Sequence, residues 1–308
     1  MELQKHFNLE EYVDKIELTD QVLAHLQSTS KSFDEYFKIL SQYGKYAIYF
    51  WIDSLYKELI ASSEIEGDLI SLERFNNDLY ISRFAISHSR IYDLHKIFIP
   101  DAPDAYRDSE VKISGKENGK EVIYWWGPEA ESIMPFMKDF VKFYQTSNIE
   151  LKYSNPFIKS FLVHLLFVRI HPFKDGNGRT ARLLQNIKFA QLINSIYGTR
   201  LKISPLNISQ NILINKPTYA DRLNAVQFNL NADDNKAINR FIDYLLNMVD
   251  EQLFYAKNKL LKYAETLDKW SNVYPDEELH KEAKSLRIKT RFHYSIEAPL
   301  VFSRSYLQ

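Results

Sequence analysis

Residues 155–187 read NPFIKSFLVHLLFVRIHPFKDGNGRTARLLQNI. Asn155-Pro156 is a helix-start signal: a side-chain acceptor at the cap, then a proline at the first helical position, where no N–H is needed. From Phe157 to Ile170 nearly every position is apolar, so this helix has no solvent face and is the one the others pack around. It must stop near His171, because Pro172 disfavours the α conformation in the residue before it. The loop Lys174-Asp175-Gly176-Asn177-Gly178 follows. A second helix then carries Arg179, Arg182, Leu184 and Ile187.

Working outward, the pattern stays helical. Only 8 glycines and 10 prolines occur in 308 residues, too few turn residues for an all-β protein, while 45% of the chain is hydrophobic. The expectation is a mainly α fold with ample core. Leu9 to about Phe75 reads as helix. Its strongest apolar stripe, Ile48, Trp51, Leu55 and Leu59, extends by the same spacing to Ser62 and Glu66. A carboxylate thus ends the buried face of a helix over about 45–67, and Gly67 is its stop. Between Ala105 and Trp126 the periodicity changes: Val111 and Ile113 alternate with polar residues, Asn118-Gly119 is a hairpin turn signal, and Val122 to Trp126 is rich in β formers. A helix over about Glu129 to Gln145, despite Pro135, is expected next. Ser204 to Asn229 reads as broken helix, Lys236 to about Leu267 as a long helix or a pair, and Ser295 to Ser305 as a candidate strand. The expected organisation is an N-terminal helical region (1–90), a core (91–231) and a C-terminal helical region (232–308).

Charge and composition exclude several classes. Lys and Arg total 39 against 40 Asp and Glu, a formal net charge of -1, so no global positive field gathers nucleic acid or anionic membrane. There is no cysteine, hence no disulfide, thiolate zinc site or thiol nucleophile. The N-terminus lacks a basic segment followed by an apolar one, and the run Phe161 to Ile170 is about half a bilayer span. A soluble, cytoplasmic protein is expected.

The loop is where the chemistry concentrates. Gly176 and Gly178 at a helix start leave backbone N–H groups pointing outward, and with the positive end of the helix dipole they make an anion cradle suited to phosphates. Arg179 and Arg182 share a helix face and reach further phosphate oxygens. Asp175 is a hard oxygen ligand of the kind magnesium takes beside substrate phosphates. His171 is the neutral-pH proton acceptor of the group. Gly176-x-Gly178-x-x-Ala181 formally matches a dinucleotide fingerprint, but a helix precedes it and Asn194 to Arg200 offers no acidic partner. A P-loop is absent, and a calcium loop opening at Asp175 would need a glutamate where Asn186 stands.

His171 to Arg182 resembles the Fic family motif, H-x-F-x-[D/E]-G-N-G-R-x-x-R, at every fixed position, with weaker likeness over about 90–230. The resemblance implies a helical core that transfers AMP from ATP, with Mg2+, to Ser, Thr or Tyr hydroxyls of a target protein, or of the chain itself. By position, His171 would be the base, Phe173 the loop's core anchor and Asp175 the metal ligand. Asn177 with the amides of Gly176 and Gly178 would hold phosphates, as would Arg179 and Arg182. Ser62 to Gly67 is similar to the family's inhibitory motif, [S/T]-x-x-x-E-[G/N], which implies that Glu66 pairs with Arg182; a site so arranged would also suit removal of AMP. The hairpin matches the position of the family's flap, where Val111, Lys112, Ile113 and Ser114 would dock the target strand; the alternative is a surface hairpin packed through its tryptophans. Tyr219 and Leu223 lie where the family lines the adenine site, with Ala220 in place of a second tyrosine.

His164 reads as a core histidine, and His88, His95 and His280 form no metal constellation. The basic run Lys281 to Arg291 is either a solvated helix or part of a winged-helix module. The rival reading of the whole chain is a DNA-associated regulator with a vestigial nucleotide-sensing core.

Overall fold

The computed structural model describes residues 9–42, 44–68, 85–117, 120–146, 155–199, 201, 204, 206–226 and 231–271. The side chains of the stripe residues Ile48, Trp51 and Leu55 and of 113–126, together with His280, the basic run at 281–291 and the candidate strand at 295–305, lie outside the described set.

Three helices come first: α1 (Leu9–Lys15), α2 (Asp20–Gln42) and α3 (Gly44–Ile65). Helix α4 (His88–Lys96) leads into strands β1 (Lys112–Glu117) and β2 (Lys120–Trp126). The strands pair antiparallel, with a shift of register between Ile113 and Ser114; such a bulge bends and twists a ribbon. Then follow α5 (Ala130–Gln145), α6 (Pro156–Ile170), α7 (Asn177–Tyr197), α8 (Ile208–Ile214), α9 (Lys216–Ala225) and α10 (Ala232–Ser271). The protein is mainly helical, as its turn-poor composition requires. What reads in sequence as a long helix or a pair is one 40-residue helix. Among the described residues no helix is long and apolar enough to cross a membrane.

Helix α6 is the axis of the molecule. Asn155 Oδ1 accepts from Phe157 N at 2.9 Å, Pro156 takes the first turn, and every residue from Phe157 to Ile170 is buried. Its most extensive neighbour is α7, with α5 and α10 also against it. Rings interlock α2 with this pair: Phe33 meets Phe157 and Phe189 edge-on at centroid distances of 5.6 and 5.3 Å. Edge-to-face pairs of this kind add to the area they bury.

Helix α10 closes the far side on α2, and a histidine clamps the two. His25 Nδ1 lies 2.7 Å from Asp243 Oδ1 and its Nε2 lies 3.0 Å from Asp250 Oδ2. Both ring nitrogens face carboxylates, the geometry of an imidazolium. Burial alone would lower the His25 pKa, but hydrogen bonds to and the charges of Asp243 and Asp250 hold it above the ordinary 6.5. A raised folded pKa adds stability that is complete below the unfolded value and lost as pH climbs through the folded one. The native chain should therefore melt above His25→Gln at pH 6, and the gap should narrow as pH rises beyond the ordinary 6.5 and the imidazole deprotonates; scanning calorimetry across that range checks it, and a gap independent of pH would show that the clamp is not ionic.

Candidate active site

The turn between α6 and α7 is held in an uncommon conformation by its sequence. His171 caps α6 with φ 50° and ψ 58° and is the one non-glycine residue of positive φ among those described. Helical conformation is disfavoured before Pro172, and the left-handed state costs roughly 1–2 kcal/mol in a residue with a Cβ. Asn177 closes the loop: its Oδ1 accepts from Phe173 N at 2.9 Å and its Nδ2 donates to Phe173 O at 2.8 Å. The Phe173 ring stacks on His95 of α4, 3.7 Å between centroids and 7° from parallel. His95 Nε2 donates to Asp175 O at 2.9 Å.

The charged groups meet at the start of α7. Arg182 is 2% exposed. Its Nε donates to Ser62 Oγ, and its Nη2 to Ser62 O and Glu66 Oε1, each at 2.8 Å. Arg182 Nη1, also buried, has no hydrogen-bond partner among the described residues. A Cβ on Gly178 would sit 3.2 Å from that nitrogen and 2.5 Å from Glu66 Oε1, so only glycine fits beneath the ion pair. Arg179, likewise buried, pairs through Nη1 with Asp68 Oδ2 and reaches Asp175 Oδ1 at 3.2 Å through Nη2.

Glu66 does not lie on the buried face of α3, as the periodicity suggests. The helix ends at Ile65 and Glu66 is its cap residue, with a side chain 38% exposed. Gly67 N donates to Glu64 O and Asp68 N to Ser63 O, at 3.0 and 3.1 Å, with Gly67 at φ 84°: a Schellman stop, for which glycine is suited. That stop turns Glu66 and Asp68 toward α7. One full turn apart on α3, Glu58 and Ser62 share a face. Glu58 is 3% exposed and accepts from Ser209 N at 2.8 Å, Ser209 Oγ at 2.5 Å and Asn186 Nδ2 at 2.8 Å. Burial pushes its carboxyl pKa up against those bonds.

His171 Nδ1 lies 3.2 Å from Val168 O, an acceptor only, so Nδ1 carries the hydrogen and Nε2 the lone pair. Burial, the largest effect, lowers the His171 pKa to about 4, with Arg107 and Arg169 also lowering it and Val168 and Glu66 raising it. The ring is neutral at physiological pH. Tyr219 on α9 is buried with its hydroxyl 2.8 Å from His164 Nε2, and Leu223 is partly buried, its carbonyl accepting from Arg169. His164 is fully buried, its pKa lowered by burial to about 3, as a core histidine should be.

The structure thus brings His171, Asp175, Gly176, Asn177, Gly178, Arg179 and Arg182 into one turn, with Ser62 and Glu66 against it. Asn177 differs in one respect: it is 2% exposed and its amide is engaged by Phe173, so it contributes loop shape and not a side-chain ligand. Val111 and Lys112 open the hairpin, Val111 O accepting from Gly127 N at 2.9 Å, and Ile113 and Ser114 are placed by backbone only. Sequence reasoning missed Asp68, His95, Arg107 and Glu58. Asp68 was findable as a second acid two residues past the glutamate; the others touch residues far away in sequence.

A helical domain whose central pair of helices is joined by a glycine-turned, arginine-lined loop is the class this geometry defines. Residues 85–187 match the Fic/DOC family. A Fic family protein from Desulfovibrio desulfuricans G20 superposes with a TM-score of 0.59, at 18% identity over 79% of this chain and 76% of that one. Fic-1 from C. elegans gives 0.50, at 18% identity over 80% and 73%. The family match spans about a third of the chain, and the two superpositions show the same helical fold over most of it.

Asn177→Ala would leave the Phe173 N–H and C=O unpaired in a buried turn. Losing two such bonds should cost about 2–4 kcal/mol of stability, read by urea unfolding; a loss below about 0.5 kcal/mol would show that the loop is held by its other contacts.

Proposed function

We propose that the chain is an autoinhibited protein adenylyltransferase, moving AMP from ATP to a Ser, Thr or Tyr hydroxyl of a target protein or of itself. The observation that carries the reading is the pairing of both loop arginines with acids of a single turn, Glu66 on Arg182 and Asp68 on Arg179, above a neutral histidine. Two buried guanidiniums at a glycine-rich helix start suit a polyphosphate, and the two carboxylates hold its place.

In the active arrangement the target hydroxyl oxygen attacks the α-phosphorus. A new P–O bond forms, the bond to the β-phosphate oxygen breaks, pyrophosphate leaves, and the hydroxyl proton passes to His171 Nε2. Arg179 and Arg182 take the charge of the leaving phosphates, the main electrostatic demand of the reaction. Asp175 fits Mg2+ as an exposed carboxylate beside the cradle: magnesium takes one or two carboxylates and fills its sphere with phosphate and water, and when bound it supplies charge neutralisation. Helix α9, through Tyr219 and Leu223, borders the nucleoside side, and the β1 edge from Val111 to Ser114 offers main-chain groups to an extended target segment. The charges of the loop suit phosphates, and ATP as donor rests on the family likeness.

Incubation of the purified chain with labelled ATP and Mg2+ tests the reading. His171→Ala should cut transfer ~100 to 10,000-fold with ATP affinity nearly unchanged; normal labelling would remove His171 from the mechanism. Glu66→Gly should raise the initial rate of AMP incorporation, because Arg182 is released to the phosphate, and Asp68→Asn should act in the same direction on Arg179. The Glu66→Gly chain should also melt lower without nucleotide and recover part of the loss with ATP and Mg2+. A folded Glu66→Gly chain no faster than the native one would sink the inhibitory assignment.

A further inference from the structure

Arg107 lies in the segment between α4 and β1 and is 5% exposed. Its hydrogen-bonded partners are three main-chain carbonyls: Nε donates to His171 O at 2.7 Å, Nη1 to Ser109 O at 2.8 Å and Nη2 to Pro128 O at 2.6 Å. Its own backbone N–H donates to Pro172 O at 2.8 Å. Ser109 stands just before β1 and Pro128 just after β2. One planar guanidinium therefore ties both feet of the hairpin to the backbone of the left-handed residue at the centre of the loop.

Burying a guanidinium against carbonyls, which bring only partial charge, is costly, and burial lowers the Arg107 pKa. The fixed fork of five donors is what the site uses; the single nitrogen of a lysine cannot reach three diverging acceptors. The His171 ring has its own tether, the 3.2 Å contact to Val168 O, which is long for a hydrogen bond. Arg107 holds the backbone from which that ring projects. The charged groups facing His171 are Arg107, Glu66 and Arg169.

We propose that Arg107 is a positioning residue that fixes the base of the hairpin to the His171 backbone, so that a hydroxyl docked on the hairpin and its proton acceptor are held in one register. This deepens the transfer reading and rests on it. A misplacement of about 1 Å at a reacting group can cost of order 100-fold in rate, so the expected signature is in kcat and not in ATP binding.

The test uses Arg107→Lys and Arg107→Gln in the full chain, with rates measured in the Glu66→Gly background and the His171 ring titrated by NMR in the otherwise native chain. Both variants should lose about tenfold or more in kcat, with the KM for ATP within twofold. Arg107→Gln should also raise the His171 midpoint, because a cation opposing the imidazolium is gone, whereas Arg107→Lys, which keeps the charge, should leave it close to native. Folded variants with kcat unchanged, or a His171 midpoint unmoved in Arg107→Gln, would overturn the proposal. If Arg107→Gln does not fold, solvent exchange of the Arg107 Nε–H in the native chain decides: slow exchange is expected, and exchange as fast as an exposed arginine overturns it. Absence of any transfer in the Glu66→Gly chain would instead defeat the transfer reading, and the titration would still decide the role of Arg107.

Discussion

The guanidinium of Arg182 is a full charge 2% exposed in the middle of a helical core, and much of the molecule is arranged to answer it. An unpaired charge there would cost several kcal/mol. Its acceptors come from a helix 116 to 120 residues earlier: the hydroxyl and carbonyl of Ser62 and the carboxylate of Glu66. Glu58, further back on the same face, feels the same positive field, which draws its carboxyl pKa down against the larger effect of burial. Its three hydrogen bonds fasten α3 to α7 and α8. The last turns of α3 are thus held on the core by the group they cover.

A phosphate would meet the same electrostatic demand. Whatever occupies Arg182 must be an anion with oxygens at hydrogen-bond range, and Gly178 leaves room for it by presenting no Cβ where Glu66 Oε1 now lies. On the proposed reading, stability and inhibition are one interaction seen from two sides. On that reading, activation would exchange one anion on Arg182 for another.

The loop was the legible part of the sequence because each of its properties is local. Pro172 stops α6, Asn155-Pro156 starts it, and the glycines and arginines advertise a cradle within a twelve-residue span. The position of Glu66 was half legible: spacing by threes and fours reaches it, but helical periodicity cannot say that α3 stops one residue short, at Ile65. Gly67 gives that stop, and with it the partly exposed carboxylate in place of a buried one. Arg107 and His95 were not legible at all. Each bonds to main-chain carbonyls, which every residue carries, so no pattern of side-chain types distinguishes them. The length of α10 escaped for a related reason: nothing in its sequence marks whether the amphipathic pattern continues through one axis or turns back.

Two acids separated by a single glycine behave as a unit. Glu66 and Asp68 flank Gly67, and Asp68 N is bonded to Ser63 O, one residue from the Ser62 that holds Arg182. Lifting Glu66 alone would strain the Schellman bonds that also place Asp68, and lifting Asp68 alone would leave Arg179 to Asp175, a carboxylate 76% exposed and well solvated. Opening the turn as a whole would release both carboxylates at once. Helix ends open locally at small cost, and the turn beyond Ser62, whose hydroxyl and carbonyl are bonded to Arg182, is the segment that would open. An incoming polyphosphate would therefore compete with one concerted opening of the C-terminal turn of α3, and it need not dissect two independent ion pairs.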